Sequence, residues 1–390
     1  MGHVQLSKIV RVPISILIST GDLSGDFIGS LLVKELKRLA PETTFYAVGG
    51  EHLKNAGAKL LEDSSKWSAI GIFDALSKVP SVYSAYRRLK KSIPAMNLSG
   101  VVYLDCPAFN LLLSKSIFSL KIPSVYFFPP SSWRNDPARA ARVGKRVNRV
   151  IAPFKQTESL YKKAGVPTFF SGHPLLDRIP STGNKENAAR ELRLDPKRPI
   201  VGLFPGSRTQ EIKYLLPILL KAANDLYLED PSVQFALAIA HPSLEEEITR
   251  KVKSANAPVV MRHQSNYTIM QASDVLLIAS GTATLEAALH EKPMVIVYKV
   301  SEWSWRLEAP FLKGIAFAGL PNLLAGKEIA PEFLQEKATA KNVGDKMREL
   351  LDSPALRESM IRELKCIRPS LGEPGAIPRA AKAILETFHG

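Results

Sequence analysis

Short apolar runs rich in β-branched and aromatic residues alternate along the chain with longer stretches of helical periodicity. In the first half the runs are 14–19 (ISILIS), 44–48 (TFYAV), 101–105 (VVYLD), 124–128 (SVYFF) and 149–153 (RVIAP). Stretches 27–40 and 109–120 fit helices between them. The runs show little strict alternation of polar and apolar residues, as expected of parallel strands covered on both faces. The pattern is a series of βαβ units.

A segment rich in glycine, proline and polar residues, 172–187, interrupts the series. The alternation then restarts with runs at 200–205, 233–239, 258–262, 274–280 and 293–299. The expected fold class is α/β, with two Rossmann-like doubly wound domains, one over 1–178 and one over 179–366. A helical C-terminal segment, 367–390, is expected to return toward the first domain. Two such domains put ligands at the carboxyl ends of their strands, facing a cleft. Residues in loops just after strands are therefore the candidates for chemistry.

Composition narrows the picture. A chain of 390 residues exceeds one ordinary core. Its 45% hydrophobic and 23% charged residues describe a globular protein without a disordered block. The formal net charge of +15 points either to an anionic partner or to a generally basic surface. Cys106 and Cys366 are far apart, which argues against a disulfide scaffold or a zinc site and fits a reducing cytosol. Lys8 and Arg11 precede an apolar run, but the run ends at Ile18 without a cleavage pattern, so no signal peptide is expected. No uninterrupted apolar stretch approaches the roughly 18 residues that a membrane-spanning helix needs.

Three strand-end loops carry candidate chemistry. Pro205-Gly206-Ser207 leads into Arg208 and a helix containing Glu211. Such a turn offers backbone amides to an anion, with Arg208 as a forked donor, or is simply a helix cap with a surface arginine. Ser280-Gly281-Thr282 ends another strand, with Glu286 on the following helix. Small residues there admit phosphate, and Glu286 can accept from ribose hydroxyls or merely benefit from the helix dipole. Asp105 ends the strand VVYLD, where it serves either as a general base or as the N-cap of the next helix. His173 reads equally as a donor in the cleft or as a structural histidine. No Asp-x-Asp pair occurs, so a metal held by carboxylates has no evident ligands and no cofactor is expected.

Together these loops resemble the lipid-A-disaccharide synthase family of GT-B glycosyltransferases. The resemblance is carried by SGD (24–26), IGIFDAL (70–76), DCPAFN (105–110), PSSW (130–133), SGHPLLD (171–177), LFPGSR (203–208), ASGTATLE (279–286) and PNLLAG (321–326). It implies an inverting, metal-independent enzyme that transfers 2,3-diacylglucosamine from UDP to 2,3-diacylglucosamine 1-phosphate (lipid X) and releases UDP. By position, Asp105 would be the general base on the acceptor's 6-hydroxyl. Arg208, Ser280, Gly281, Thr282, Glu286 and Asn322 would bind UDP in the second domain. The first domain would bind the acceptor through Gly21, Asp22, Ser24, Gly25 and His173. In that reading Gly21 and Gly25 allow close approach, Ser24 and Asp22 hydrogen-bond hydroxyls, and Asp26 caps or charges the next helix. The chain departs from the family pattern at Asp22, where Glu is usual. It departs again at Ala108, where a second acid is common, and at the segment around Trp133, which usually reads Trp-x-Trp-Arg.

Acylated substrates imply a membrane surface. After Pro80, Val82, Tyr86, Leu89 and Ile93 form one helical stripe beside Arg87, Arg88, Lys90 and Lys91. The stripe suits an interfacial helix on anionic lipid, or an ordinary amphipathic helix packed on a sheet. The expected location is cytoplasmic, peripheral to the inner face of the cytoplasmic membrane. The charge is not assigned to nucleic acid, because no recognised binding module is present. Two other readings are a related UDP-sugar enzyme, such as a UDP-N-acetylglucosamine 2-epimerase relative, and a non-catalytic UDP-sugar or lipid-binding protein. A non-catalytic binder has no need of Asp105 as a base.

Overall fold

The computed structural model of the chain describes residues 14–65, 67, 72–130, 136–179, 183–312 and 314–389. Ile70, Gly71, the stretch 131–135 with Trp133, and Pro180 in the break over 172–187 lie outside the described residues. The chain divides into two compact units. The first takes Met1–Ser68, Ala75–Pro174 and Leu371–Gly390; the second takes Ala69–Asp74 and Leu175–Ser370.

The first unit holds strands β1 (Ser15–Ser19), β2 (Thr44–Gly49), β3 (Lys59–Asp63), β4 (Gly100–Leu104), β5 (Ser124–Phe127), β6 (Arg149–Ala152) and β7 (Thr168–Phe170). They form one parallel sheet in the order β3-β2-β1-β4-β5-β6-β7. The second unit holds β8 (Ile200–Phe204), β9 (Gln234–Ile239), β10 (Val259–His263), β11 (Val275–Ala279), β12 (Met294–Tyr298) and β13 (Glu332–Leu334). These are also parallel, in the order β10-β9-β8-β11-β12-β13. Both sheets therefore reverse strand order once, between β1 and β4 and between β8 and β11. In doubly wound folds that reversal is where ligands bind.

β3, β7 and β13 do not stand out as strands in the sequence. Each is partly exposed and lies at a sheet edge, so it lacks the unbroken apolar run of the central strands.

Alternate residues of β1 explain why the first unit has two apolar layers. Ile16 and Ile18 enter a core with Leu32, Val33 and Leu36 of helix α1 (Leu23–Leu39). Leu17 faces the other way, into a core with Phe109, Leu113 and Ile117 of helix α2 (Pro107–Ser119). The C-terminal helix α3 (Ala376–His389) completes the first layer with Ile377, Ala380, Ala381 and Ile384. Arg149 Nη1 donates to the carbonyl of Ala383 at 3.1 Å, and Arg379 donates twice to that of Ser171, at 2.9 and 2.7 Å.

The helix Ile72–Ser92 corrects the expected membrane stripe. Tyr86, Leu89 and Ile93 are buried in the second layer, with Val82 packed against it. They cover the sheet, so Tyr86 and Leu89 have no surface to offer a lipid. The period that suits an interfacial helix is the same one that suits a core-facing helix. Arg87, Lys90 and Lys91 stay exposed, and Arg88 forms a forked pair with Glu62 at 2.6 and 2.7 Å. Among the described residues no helix is long and apolar enough to cross a membrane.

Because Ile384 is fully buried between α1 and the sheet, Ile384→Ala should cost about 2–5 kcal/mol. Urea denaturation followed by circular dichroism reads the effect, with exposed Leu356→Ala as control. Equal midpoints for the two variants would show that α3 adds nothing to the first core.

Candidate active site

At the reversal in the first sheet, the loop after β1 meets the loop after β4. Asp22 is the N-cap of α1 and accepts from the Gly25 amide at 2.7 Å. The helix therefore starts at Leu23, and Ser24, Gly25 and Asp26 belong to its first turns rather than to an open loop. This corrects the expected division of labour between the two acids. Asp22 caps α1, whereas the buried Asp26 carboxylate accepts from the amides of Gly50, His52 and Leu53 at 2.7, 2.9 and 3.2 Å. It thus anchors the start of the short helix Glu51–Asn55.

The two glycines also serve the fold. A Cβ on Gly21 would lie 2.1 Å from Cys106 Sγ, and one on Gly25 would lie 2.0 Å from Thr20 Oγ1. What they let approach is the protein itself. Ser24 is half-buried in the first turn of α1.

Asp105 is exposed at the end of β4. It is not the N-cap of α2: that position is Cys106, whose side chain makes no capping bond. Asp105 and Cys106 both adopt left-handed backbone, φ +43° and +45°, and Phe128 after β5 does so at +56°. Such conformations cost non-glycine residues energy and recur at functional sites. Burial and the neighbouring carboxylates push the Cys106 thiol up to about 12, so it is an inert packing group.

His173 is 3% exposed, with its ring against those of Phe128 and Phe154 at 5.4 and 5.1 Å. Its burial and ring contacts fit the structural one of its two sequence readings. Burial drops its imidazole to about 3, and it does not face solvent as an acceptor-binding donor.

In the second unit, the turn after β8 is filled from within. Glu211, buried, accepts from the amides of Ser207 and Arg208 at 2.6 and 3.1 Å and from Arg208 Nη1 at 3.2 Å. The amides expected to face a phosphate are bound to an internal carboxylate. Arg208 remains half-exposed.

The neighbouring turn after β11 is different. Helix α4 (Thr282–Leu289) begins after Gly281, whose φ of +152° is outside the comfortable range of other residues. A Cβ at Gly281 would meet nothing within 4 Å, so open space lies before the helix. Gly281 and Thr282 are exposed, and Ser280 Oγ donates to the Ala318 carbonyl at 2.7 Å. The first amides of a helix have no acceptor within it. Among the described residues, no carboxylate fills this turn as Glu211 fills the other.

Glu286 lies beyond the first turn of α4, so the helix dipole does not explain it. Tyr267 donates its hydroxyl to Glu286 Oε1 at 2.9 Å, and the Arg178 guanidinium lies 5.3 Å over the Tyr267 ring. Burial raises the Glu286 carboxyl, while the Tyr267 hydrogen bond and Arg178 oppose the rise.

Asn322 stands in the helix Leu320–Ala325. It is fully buried and its amide is committed: Nδ2 donates to Ala330 O and Glu332 Oε1, both at 2.7 Å, and Oδ1 accepts from the Ile329 and Ala330 amides. It shapes the loop that follows the helix.

Sequence reasoning missed Asn110, Tyr267 and Glu332. Asn110 stands in DCPAFN, and a buried-strand end followed by an asparagine was its only signal. Tyr267 and Glu332 lie in no motif, and only the tertiary fold brings them to Glu286 and to the Ala318 and Gly319 amides. Among the described residues no group of three or more His, Cys, Asp or Glu is placed to hold a metal ion.

Comparison with known proteins adds four findings. A family model described as lipid-A-disaccharide synthetase matches residues 16–368. The chain is 34% identical over 371 residues to the lipid-A-disaccharide synthase of Geobacter metallireducens, covering 95% of this chain and 96% of that protein. Among solved structures, the S. aureus MnaA–UDP co-structure aligns with TM-score 0.65 at 16% identity, covering 96% of this chain and 97% of that one. The glycotransferase of kitacinnamycin aligns with TM-score 0.60 at 14% identity, covering 96% and 99%. The structural likenesses establish the fold alone: two Rossmann-like units of the kind found in GT-B glycosyltransferases.

Burial makes one histidine in each unit sensitive to acid. His173 and His290 are held at about 3 and about 4, below the ordinary 6.5. Between those values and 6.5 the unfolded chain binds protons that the folded chain refuses, so stability falls as pH drops through that window. His173→Phe should flatten the acid limb of a plot of Tm against pH. A limb as steep as that of the parent protein would mean that His173 does not contribute to it.

Proposed function

The chain belongs to the lipid-A-disaccharide synthetase family, and we propose that it catalyses inverting, metal-independent transfer of 2,3-diacylglucosamine from UDP to 2,3-diacylglucosamine 1-phosphate. The observation that carries the assignment of roles is the placement of Asp105. It is an exposed carboxylate at the strand-order reversal of the first sheet, and helix capping does not account for it.

In the proposed step Asp105 accepts the proton of the acceptor's 6-hydroxyl as that oxygen attacks the anomeric carbon of the donor. The new carbon–oxygen bond forms on the face opposite the breaking bond to diphosphate, which inverts the centre. The electron pair of the broken bond leaves with UDP. The first turn of α4 at Gly281 and Thr282, with Ser280 supporting its approach, receives the diphosphate through backbone amides. Arg208 adds cationic charge, and Glu286, oriented by Tyr267, accepts from ribose hydroxyls. The first unit binds the lipid-linked acceptor, and the Asp22 carboxylate, capping with one oxygen, is half-buried beside that edge.

A membrane role is proposed in altered form. Among the described side chains of helix Ile72–Ser92, the exposed apolar groups are Val79 and Tyr83, 52% and 53%, on the side that carries Arg87, Lys90 and Lys91. Apolar insertion beside basic side chains fits an anionic lipid surface, here the inner face of the cytoplasmic membrane.

Two experiments test these readings. Protein incubated with UDP-2,3-diacylglucosamine and lipid X, with chelator present, should release UDP and disaccharide phosphate. Asp105→Ala should lower turnover by about 10²- to 10⁴-fold while UDP binding by calorimetry is kept; full turnover would remove Asp105 as the base. For the membrane, a Val79→Asp, Tyr83→Asp variant should sediment less with anionic vesicles than the parent does. Equal sedimentation of a folded variant would count against this face.

A further inference from the structure

The left-handed turn that presents Asp105 is held by groups beneath it. Asn110 is fully buried in the first turns of α2 and reaches back under the end of β4. Its Nδ2 hydrogens are shared among the carbonyls of Ser19, Leu104 and Asp105, at 3.1, 3.2 and 2.8 Å. Its Oδ1 accepts from Ser19 Oγ at 2.6 Å. From the neighbouring strand, the buried Tyr126 donates its hydroxyl to the same Asp105 carbonyl at 2.8 Å.

Two donors from different elements thus converge on one carbonyl oxygen. That oxygen belongs to the residue whose backbone is strained, and its orientation fixes the direction in which the Asp105 side chain leaves the sheet edge. Neither Asn110 nor Tyr126 is exposed enough to meet substrate.

We propose that Asn110 and Tyr126 are positioning residues for the reaction, acting through the peptide carbonyl of Asp105 to set the aim of its carboxylate. The inference rests on the reading of Asp105 as general base. Asn110 also ties β1 to β4 through Ser19, so it locks the two loops of the strand-order reversal together. Tyr126 makes no such tie, which separates aiming of Asp105 from general support of the loops.

A displacement of the base by about 1 Å suffices to cost roughly 10²-fold in rate. Tyr126→Phe removes one hydroxyl and keeps the ring. It should lower kcat about 10-fold or more, leaving KM for the UDP-sugar and the UDP dissociation constant unchanged. Asn110→Ser should do the same more strongly. The decisive readout is a double-mutant cycle on Asp105→Ala. If the two residues act through Asp105, neither substitution lowers the residual rate of Asp105→Ala any further. Additive losses, or weaker UDP binding in step with the rate, would overturn the inference and leave Asp105 as base intact. Full turnover in Asp105→Ala alone would instead overturn the base. Should Asn110→Ser fail to fold, the Tyr126→Phe arm decides on its own, because an unchanged kcat there removes the proposed aiming.

Discussion

A parallel sheet whose strand order reverses must send the chain to opposite faces from two adjacent strands, and this constraint organises everything else. In the first unit α1 leaves β1 onto one apolar layer, and α2 leaves β4 onto the other. Between them the carboxyl ends of two neighbouring strands are left without a covering helix. The same reversal recurs between β8 and β11. Residues just after these strands are held by a rigid sheet yet stay clear of its core. A carboxylate or a row of amides placed there is fixed in position without being buried, which is what polar chemistry at a surface requires.

The acidic residues around these edges show how the positions are stabilised. In a chain of net charge +15, several carboxylates turn inward onto backbone amides. Asp26 takes three, Glu211 takes two together with Arg208, and Glu332 takes those of Ala318 and Gly319. Each satisfies donors that a tight turn would otherwise bury unpaired. An internal carboxylate also occupies the place an external anion would take. The amides of Ser207 and Arg208 are therefore already paired, and the start of α4 at Gly281 is the more open of the two turns. Charge that looks like substrate recognition in a linear sequence is here partly the protein's own turn chemistry.

What the sequence made legible follows from this division. Long apolar runs ending in Asp105 or Ser280 mark central strands and their exits, because a strand buried on both faces cannot admit polar residues before its end. Edge strands such as Thr168–Phe170 lack that requirement and stay hidden. The start of α1 at Leu23 was obscured because Ser24, Gly25 and Asp26 have poor helix propensity, which the Asp22 cap and tertiary packing override. Asn322 and His173 occupy motif positions and are buried. A motif fixes which residue is present, whereas burial and hydrogen-bond partners decide whether it is free to act. The stripe through Tyr86 and Leu89 failed for a related reason: periodicity defines an apolar face without naming what covers it.

The strain at Asp105 connects stability to function in the same place. A left-handed conformation costs an ordinary residue about 1–2 kcal/mol, and Asp105 and Cys106 adopt it in succession. Each buried hydrogen bond returns about 1 kcal/mol net, and more is lost when its partner is left unpaired. The bonds converging on the carbonyls of Ser19, Leu104 and Asp105 are therefore comparable in size to the strain they hold. A glycine at 105 would relieve the backbone cost, but it would leave no carboxylate at the sheet edge. The fold keeps a costly residue there and surrounds its backbone with buried donors. That is the expected arrangement where side-chain chemistry, rather than turn geometry, dictates the residue.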